Sequence, residues 1–144
     1  MESQSYANHA RFVPLYHYVL AGALFLTLIG SGVNLYQSLG DHQRLYSASL
    51  ILVLSLCLFG TALFARIFAL KAQDRAIRAE ENLRHYVLTG KLLDPRLNTR
   101  QVIGLRFASD EELVSLAERA AKESLSEDEI KRAVKSWRAD TYRA

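Results

Sequence analysis

Two long stretches without a charged side chain constrain this chain more than any other feature. Phe12 to Gly40 holds 29 consecutive residues with no Lys, Arg, Asp or Glu, and Leu45 to Ala65 holds another 21. An α-helix rises about 1.5 Å per residue, so roughly 20 apolar residues cross a hydrocarbon core of about 30 Å. Both stretches reach that length, and the rest of the 144-residue chain offers little that could bury two such helices in a soluble core. The spans are expected near 15–36 and 47–70. An average hydropathy close to zero conceals them. Residues 1–65 carry only Glu2, Arg11, Asp41 and Arg44, while 29 of the 33 charges follow from Arg66 onward. A chain of this length holds one modest domain or a membrane hairpin with an appendage, and excludes a large enzyme or a polytopic transporter acting alone.

The span boundaries carry interfacial chemistry. Tyr16 and Tyr18 open the first, Tyr36 closes it and Tyr46 opens the second, as amphipathic rings do at headgroup level. Pro14 suits a first helical turn, where its missing N–H costs nothing. Arg66 can snorkel along its aliphatic stem. Gly40-Asp41-His42 reads as the turn of an antiparallel helical hairpin. Arg11 and Arg44 stand alone on their sides, whereas Arg66, Lys71, Arg75, Arg78 and Arg84 all follow the second span. The positive-inside rule then puts the tail, and with it both termini, in the cytoplasm. The first stretch is much longer than a signal-peptide core and lacks a clear A-x-A cleavage site, which disfavours a cleaved signal peptide. Small residues recur every four positions, as Ala23, Thr27 and Ser31 and as Cys57, Thr61 and Ala65. Such stripes let helix backbones approach closely in lipid.

Between Leu50 and Thr89 Gly60 is the only helix breaker, so the second span is expected to continue as a long arm. Ala69, Ala72, Ala76, Ala79, Leu83 and Tyr86 repeat at 3,4,3,4,3 spacing, a heptad seam with alanine in place of leucine. So shallow a seam needs a partner, either the C-terminal helices or another copy. Asp74/Arg78, Glu80/Arg84 and Glu81/Arg84 lie within pairing reach on the other faces. Gly90 and Pro95 then stop the helix. Asn98/Gln101, Ser109/Glu112 and Ser126/Glu129 have capping-box spacing and predict helices over 99–107, 110–122 and 127–138. Their apolar faces comprise Val102, Ile103 and Leu105, then Leu113, Leu116, Ala117 and Ala120, then Ile130, Ala133, Val134 and Trp137. The fold class is an all-α membrane protein: a two-helix transmembrane hairpin whose second helix extends into the cytoplasm, followed by a small C-terminal helical bundle. Its segments are an N-terminal arm (1–14), the hairpin (15–70), a juxtamembrane arm (71–89) and the C-terminal domain (90–144).

Catalytic chemistry is thin in this sequence. Cys57 is the single cysteine and lies in an apolar run, which excludes an intrachain disulfide, a CxxC pair or a thiolate zinc site and reads as packing. His9, His17, His42 and His85 show neither HExxH nor another ligand spacing. His17, near a membrane boundary, is the one candidate cofactor ligand, for haem or a chlorophyll magnesium. No phosphate-binding loop or nucleophile elbow is present, and Asp110-Glu111-Glu112 and Glu127-Asp128-Glu129 suit helix starts. Arg96, Arg100, Arg106, Lys131, Arg132, Lys135 and Arg138 could suggest nucleic acid. A tail with 16 basic and 13 acidic residues and no aromatic stacking set argues against it. Lys71, Arg75 and Arg78 fit anionic headgroups better.

Three runs of residues carry a family resemblance: Ser5-Tyr6-Ala7-Asn8-His9 with Pro14-Leu15-Tyr16-His17, then Lys71 to Ala76 with Glu80 to Arg84, then Arg106 to Glu112. With these the chain resembles an uncharacterised, domain-of-unknown-function family of small bacterial membrane proteins over nearly its whole length. The resemblance implies two spans, a cytoplasmic tail and a bacterial inner membrane, and brings no activity or functional residues. The expectation is a non-enzymatic membrane protein without a cofactor, presenting Ala72, Ala76, Ala79 and Leu83 for self-association or to a membrane-complex partner. The alternative is an accessory subunit of a respiratory or photosynthetic complex, with His17 near a haem or chlorophyll.

Overall fold

A computed structural model describes residues 5–6 and 13–140. It is all-helical, with no strand among the described residues. A π-helical turn, Leu15–Leu20, leads into α1 (Ala21–Gln37). There follow α2 (His42–Thr89), α3 (Thr99–Leu105), α4 (Asp110–Glu123) and α5 (Glu127–Ala133). Two helices, Leu15–Gln37 and His42–Thr89, are long and apolar enough to cross a membrane. The chain divides into two compact units, one from the described residues of 11–68 and one from those of 1–10 and 69–144.

In the first unit, Pro14 begins the helix with helical dihedrals, φ −57° and ψ −41°. The Ala21 N–H reaches back to the Tyr16 carbonyl, five residues away, which is the π pattern. The intervening link is short. Gly40 takes φ +97°, open to glycine at no steric cost, and Asp41 Oδ1 accepts from the Gln43 and Arg44 N–H groups at 3.1 and 3.3 Å. Asp41 thus caps α2, and His42, expected in the turn, is already helical.

The buried small residues here are Ser31, Ser38, Ala48 and Ser55. Of the expected stripes only Ser31 is among them, while Ala23, Thr27, Cys57, Thr61 and Ala65 face outward. The reason is helical phase. On this part of α2 the less exposed positions include Leu45, Ala48, Leu52, Ser55, Phe59, Ala62 and Arg66, an alternation of three and four, with Ser49 and Gly60 beside it. A strict four-residue repeat drifts around a 3.6-residue helix and leaves the contact face. The outward surface is apolar, with Leu26, Leu54, Phe64 and Phe68 all exposed. Hydroxyls satisfy themselves within their helices, as Thr27 on the Ala23 carbonyl and Ser55 on the Ile51 carbonyl, each at 2.8 Å.

In the second unit, α2 ends where Gly90, at φ +73°, donates to the Tyr86 carbonyl at 2.7 Å. Capping boxes form at Asn98/Gln101 and Ser126/Glu129. The third does not. Ser109 makes no side-chain cap bond, its Oγ is buried without a partner among the described residues, and the Glu112 carboxylate turns to the Lys135 and Ser136 N–H groups at 3.0 and 2.8 Å. The last helix is correspondingly shorter than 127–138. Val134 is extended, and Ala108 bridges Trp137 antiparallel, with the Arg138 N–H on the Phe107 carbonyl at 2.8 Å. Backbone pairing to a distant segment replaces the last helical turn. Val102, Leu105, Leu113, Ala120 and Ile130 form the core, joined by Leu93 and Leu97 from the loop after Gly90.

Candidate functional site

Helix α2 passes through the second unit with two unlike faces. One is covered. Ile77, Glu81 and His85 are buried on it, and Ile77 is the one large aliphatic residue between Leu70 and Leu83. Arg84 organises this face. Its Nη1 lies 3.0 Å from Glu81 Oε2, its Nη2 donates to the Ala108 carbonyl at 2.8 Å, and both Nε and Nη2 stand 2.6 Å from Asp110 Oδ1. The Glu81/Arg84 pair therefore forms as the spacing predicts, and it ties α2 to the start of α4. Arg138 adds a longer contact to Glu81 at 3.8 Å. The His85 Nδ1 sits 2.7 Å from the Lys91 carbonyl and so carries the proton there. Asn82 accepts from the Leu93 N–H at 3.2 Å. These buried polar groups hold the post-helix loop against the helix.

The other face is bare. Ala72, Ala76 and Ala79 are exposed, and Leu83 keeps 63% of its surface accessible. The C-terminal helices, one of the two partners expected for this seam, pack elsewhere on α2. Of the basic residues beside it, Arg78 donates to Thr99 Oγ1 at 3.3 Å, while Lys71 and Arg75 are exposed and make no bond among the described residues. The sequence pattern missed the covered face because Glu81 and His85 look like surface residues. Ile77 was the signal available.

The N-terminal arm contributes as well. Tyr6 donates to Asp128 on α5 and accepts from Arg132 Nη2 at 3.2 Å, and Arg132 pairs with Asp128 at 2.8 Å. The Tyr6 hydroxyl and the Asp128 charge push the Arg132 guanidinium up. Asp94 is held down, to about 2, by the side-chain and backbone hydrogen bonds of Arg96. The Ser126 N–H and hydroxyl likewise lower Glu129.

His17 lies in the first unit. Its Nδ1 is 3.0 Å from the Val13 carbonyl and 3.2 Å from the Val13 N–H, and its ring meets Tyr16 edge-on. It borders a cavity of about 140 Å³ with Tyr16, Leu20, Leu24, Phe59 and Arg66. The Tyr16 hydroxyl donates to the Ala62 carbonyl across 46 residues, at 3.1 Å. Among the described residues, no three His, Cys, Asp or Glu side chains gather to hold a metal ion.

A model of the family of unknown function DUF6526 matches residues 1–144, the whole chain. The chain belongs to DUF6526. No curated protein and no solved structure matches it. The geometry above therefore describes a DUF6526 chain without a template of known activity.

Proposed function

We propose that this DUF6526 chain is a non-enzymatic protein of a bacterial inner membrane that presents a cytoplasmic helical surface to another membrane-bound helix. In this reading Leu15–Gln37 and the first half of α2 form an antiparallel transmembrane hairpin, with both termini in the cytoplasm. The remainder of α2 emerges with Lys71, Arg75 and Arg78 near anionic headgroups, where each contributes about 1 kcal/mol. The partner is another copy or a subunit of a membrane complex, meeting Ala72, Ala76, Ala79 and Leu83. One observation carries the reading: the Ile77–Glu81–His85 face of α2 is buried while the alanine seam stays exposed. Alanines there allow close backbone approach, and each buried methyl adds about 0.8 kcal/mol.

The test is site-specific crosslinking from positions 72, 76, 79 and 83 in native membranes, followed by identification of the adduct. Crosslinks from these four positions and none from Lys91 are expected, and Ala76→Leu should abolish them. Crosslinking unchanged by Ala76→Leu refutes the seam as an interface. A second reading, a cofactor-bearing accessory subunit, is favoured by the position of His17 on an apolar cavity. It requires a haem or chlorophyll absorption band in protein purified from its native membrane, and a colourless preparation refutes it.

A further inference from the structure

We infer that the cavity at Arg66 is a binding site for one anionic phospholipid, whose phosphate pairs with Arg66 and whose acyl chain enters the apolar space behind it; the inference rests on the membrane reading above. Arg66 is half-buried, lines the cavity, and makes no hydrogen bond or ion pair among the described residues. The other arginines with little exposure are paired, Arg84 with Glu81 and Asp110 and Arg106 with Asp140. A guanidinium taken partly out of water calls for an anion, and its planar fork matches phosphate oxygens.

Tyr16 and His17 also border the cavity, with the Tyr16 hydroxyl and His17 Nδ1 engaged on backbone carbonyls, and the rest of the lining is hydrocarbon and aromatic carbon, from Leu20, Ala21, Leu24, Phe59, Ala62 and Leu63. A dry apolar cavity of about 150 Å³ takes up a benzene-sized hydrocarbon. The 140 Å³ here accommodates a few carbons of a chain, the remainder lying along the exposed apolar side. Arg66 follows Phe59 by seven residues on α2, or about 10 Å of axial rise, so the cation and the deep aromatic wall sit at opposite ends. A soluble anion would leave the apolar walls empty, and a neutral hydrocarbon would leave Arg66 unpaired. An amphiphile with an anionic head satisfies both.

Native mass spectrometry of the full chain, released from detergent containing equal phosphatidylglycerol and phosphatidylcholine, tests this. One phosphatidylglycerol per chain is expected, preferred about tenfold. Arg66→Gln should abolish the preference, Arg66→Lys should keep part of it, and Lys122→Gln, an exposed charge on α4 outside the cavity lining, should leave it intact. Ala21→Leu, which fills the cavity, should reduce retention of both lipids. The inference fails if Arg66→Gln retains the preference, if the unmodified chain shows none, or if excess inorganic phosphate displaces the lipid. Circular dichroism of each variant separates lost binding from lost folding, with Arg66→Lys as the folded comparator. A chain that does not co-sediment with vesicles overturns the membrane reading itself. A chain that co-sediments without headgroup preference overturns only this site.

Discussion

Replacing Arg84 with methionine is the sharpest probe of how α2 meets the C-terminal helices. The Arg84 side chain is 11% exposed and the Glu81 side chain 7%. Arg84→Met keeps the aliphatic volume but strands the Glu81 carboxylate, whose one other cation among the described residues is Arg138 at 3.8 Å, and it removes the donor from the Ala108 carbonyl. Removing one partner of a buried pair costs about 3–5 kcal/mol, because the other charge stays desolvated. Asp110 bounds the estimate from the other side. Its side chain is 65% exposed, so Asp110→Asn should cost less than about 1 kcal/mol despite the 2.6 Å contact. Arg84→Met combined with Glu81→Gln removes the stranded charge and should recover about half the loss, giving a clear coupling in a double-mutant cycle. Trp137 is the single tryptophan and packs against Phe107 with ring centroids 4.8 Å apart and planes tilted by 34°. Its fluorescence during denaturant titration of the full chain in detergent therefore reports this unit. A loss below about 1 kcal/mol for Arg84→Met, equal to that of Asp110→Asn, would falsify the view that a desolvated ion pair joins α2 to α4.

Three further perturbations test individual contacts. Glu112→Ala should free the Lys135 and Ser136 N–H groups, cost about 1–2 kcal/mol and speed amide exchange at Arg138, while Ser109→Ala, which removes a buried hydroxyl with no partner among the described residues, should be neutral or stabilising; equal losses from the two would restore the capping box. A Cβ at Gly104 would sit 3.1 Å from both the Glu127 carbonyl and Ile130 Cγ2. Gly104→Ala should therefore lose about 1 kcal/mol net, overpacking outweighing the gain in helix propensity, and a stabilised variant would contradict the close approach of α3 to α5. The Asp94 carboxyl should titrate near 2, not at its ordinary 3.8, and Arg96→Gln should return it toward that value in an NMR titration. Because its folded value is the lower one, its contribution to stability is present above pH 3.8 and disappears as pH falls through about 2.

Local signals were readable in advance because their physics is local. Asn98/Gln101 and Ser126/Glu129 close their own capping boxes within three residues, Gly90 takes its left-handed conformation where the seam runs out, and Pro14 opens a helix with no N–H to lose. The failures share one cause, a competitor far away in the chain. Ser109 and Glu112 have the same spacing as the other two boxes, yet Glu112 has unpaired N–H groups 23 and 24 residues ahead. A carboxylate bonding two backbone donors there outcompetes one in its own turn. The same pairing shortens α5. Val134 must leave the helix for Trp137 to meet Ala108, so the apolar period through Ile130, Ala133, Val134 and Trp137 signals burial but not helix. On α2 the helical period was clear and the choice of face was not. Alanines at heptad positions look like a core, and Glu81 and His85 look like surface, until Arg84 and the Lys91 carbonyl supply the partners that make their burial tolerable. A seam that stays bare while polar residues are buried opposite it is the arrangement expected where the apolar stripe is kept for a contact outside the chain. That is why the exposed alanines, and not the covered face, are where a partner should be sought.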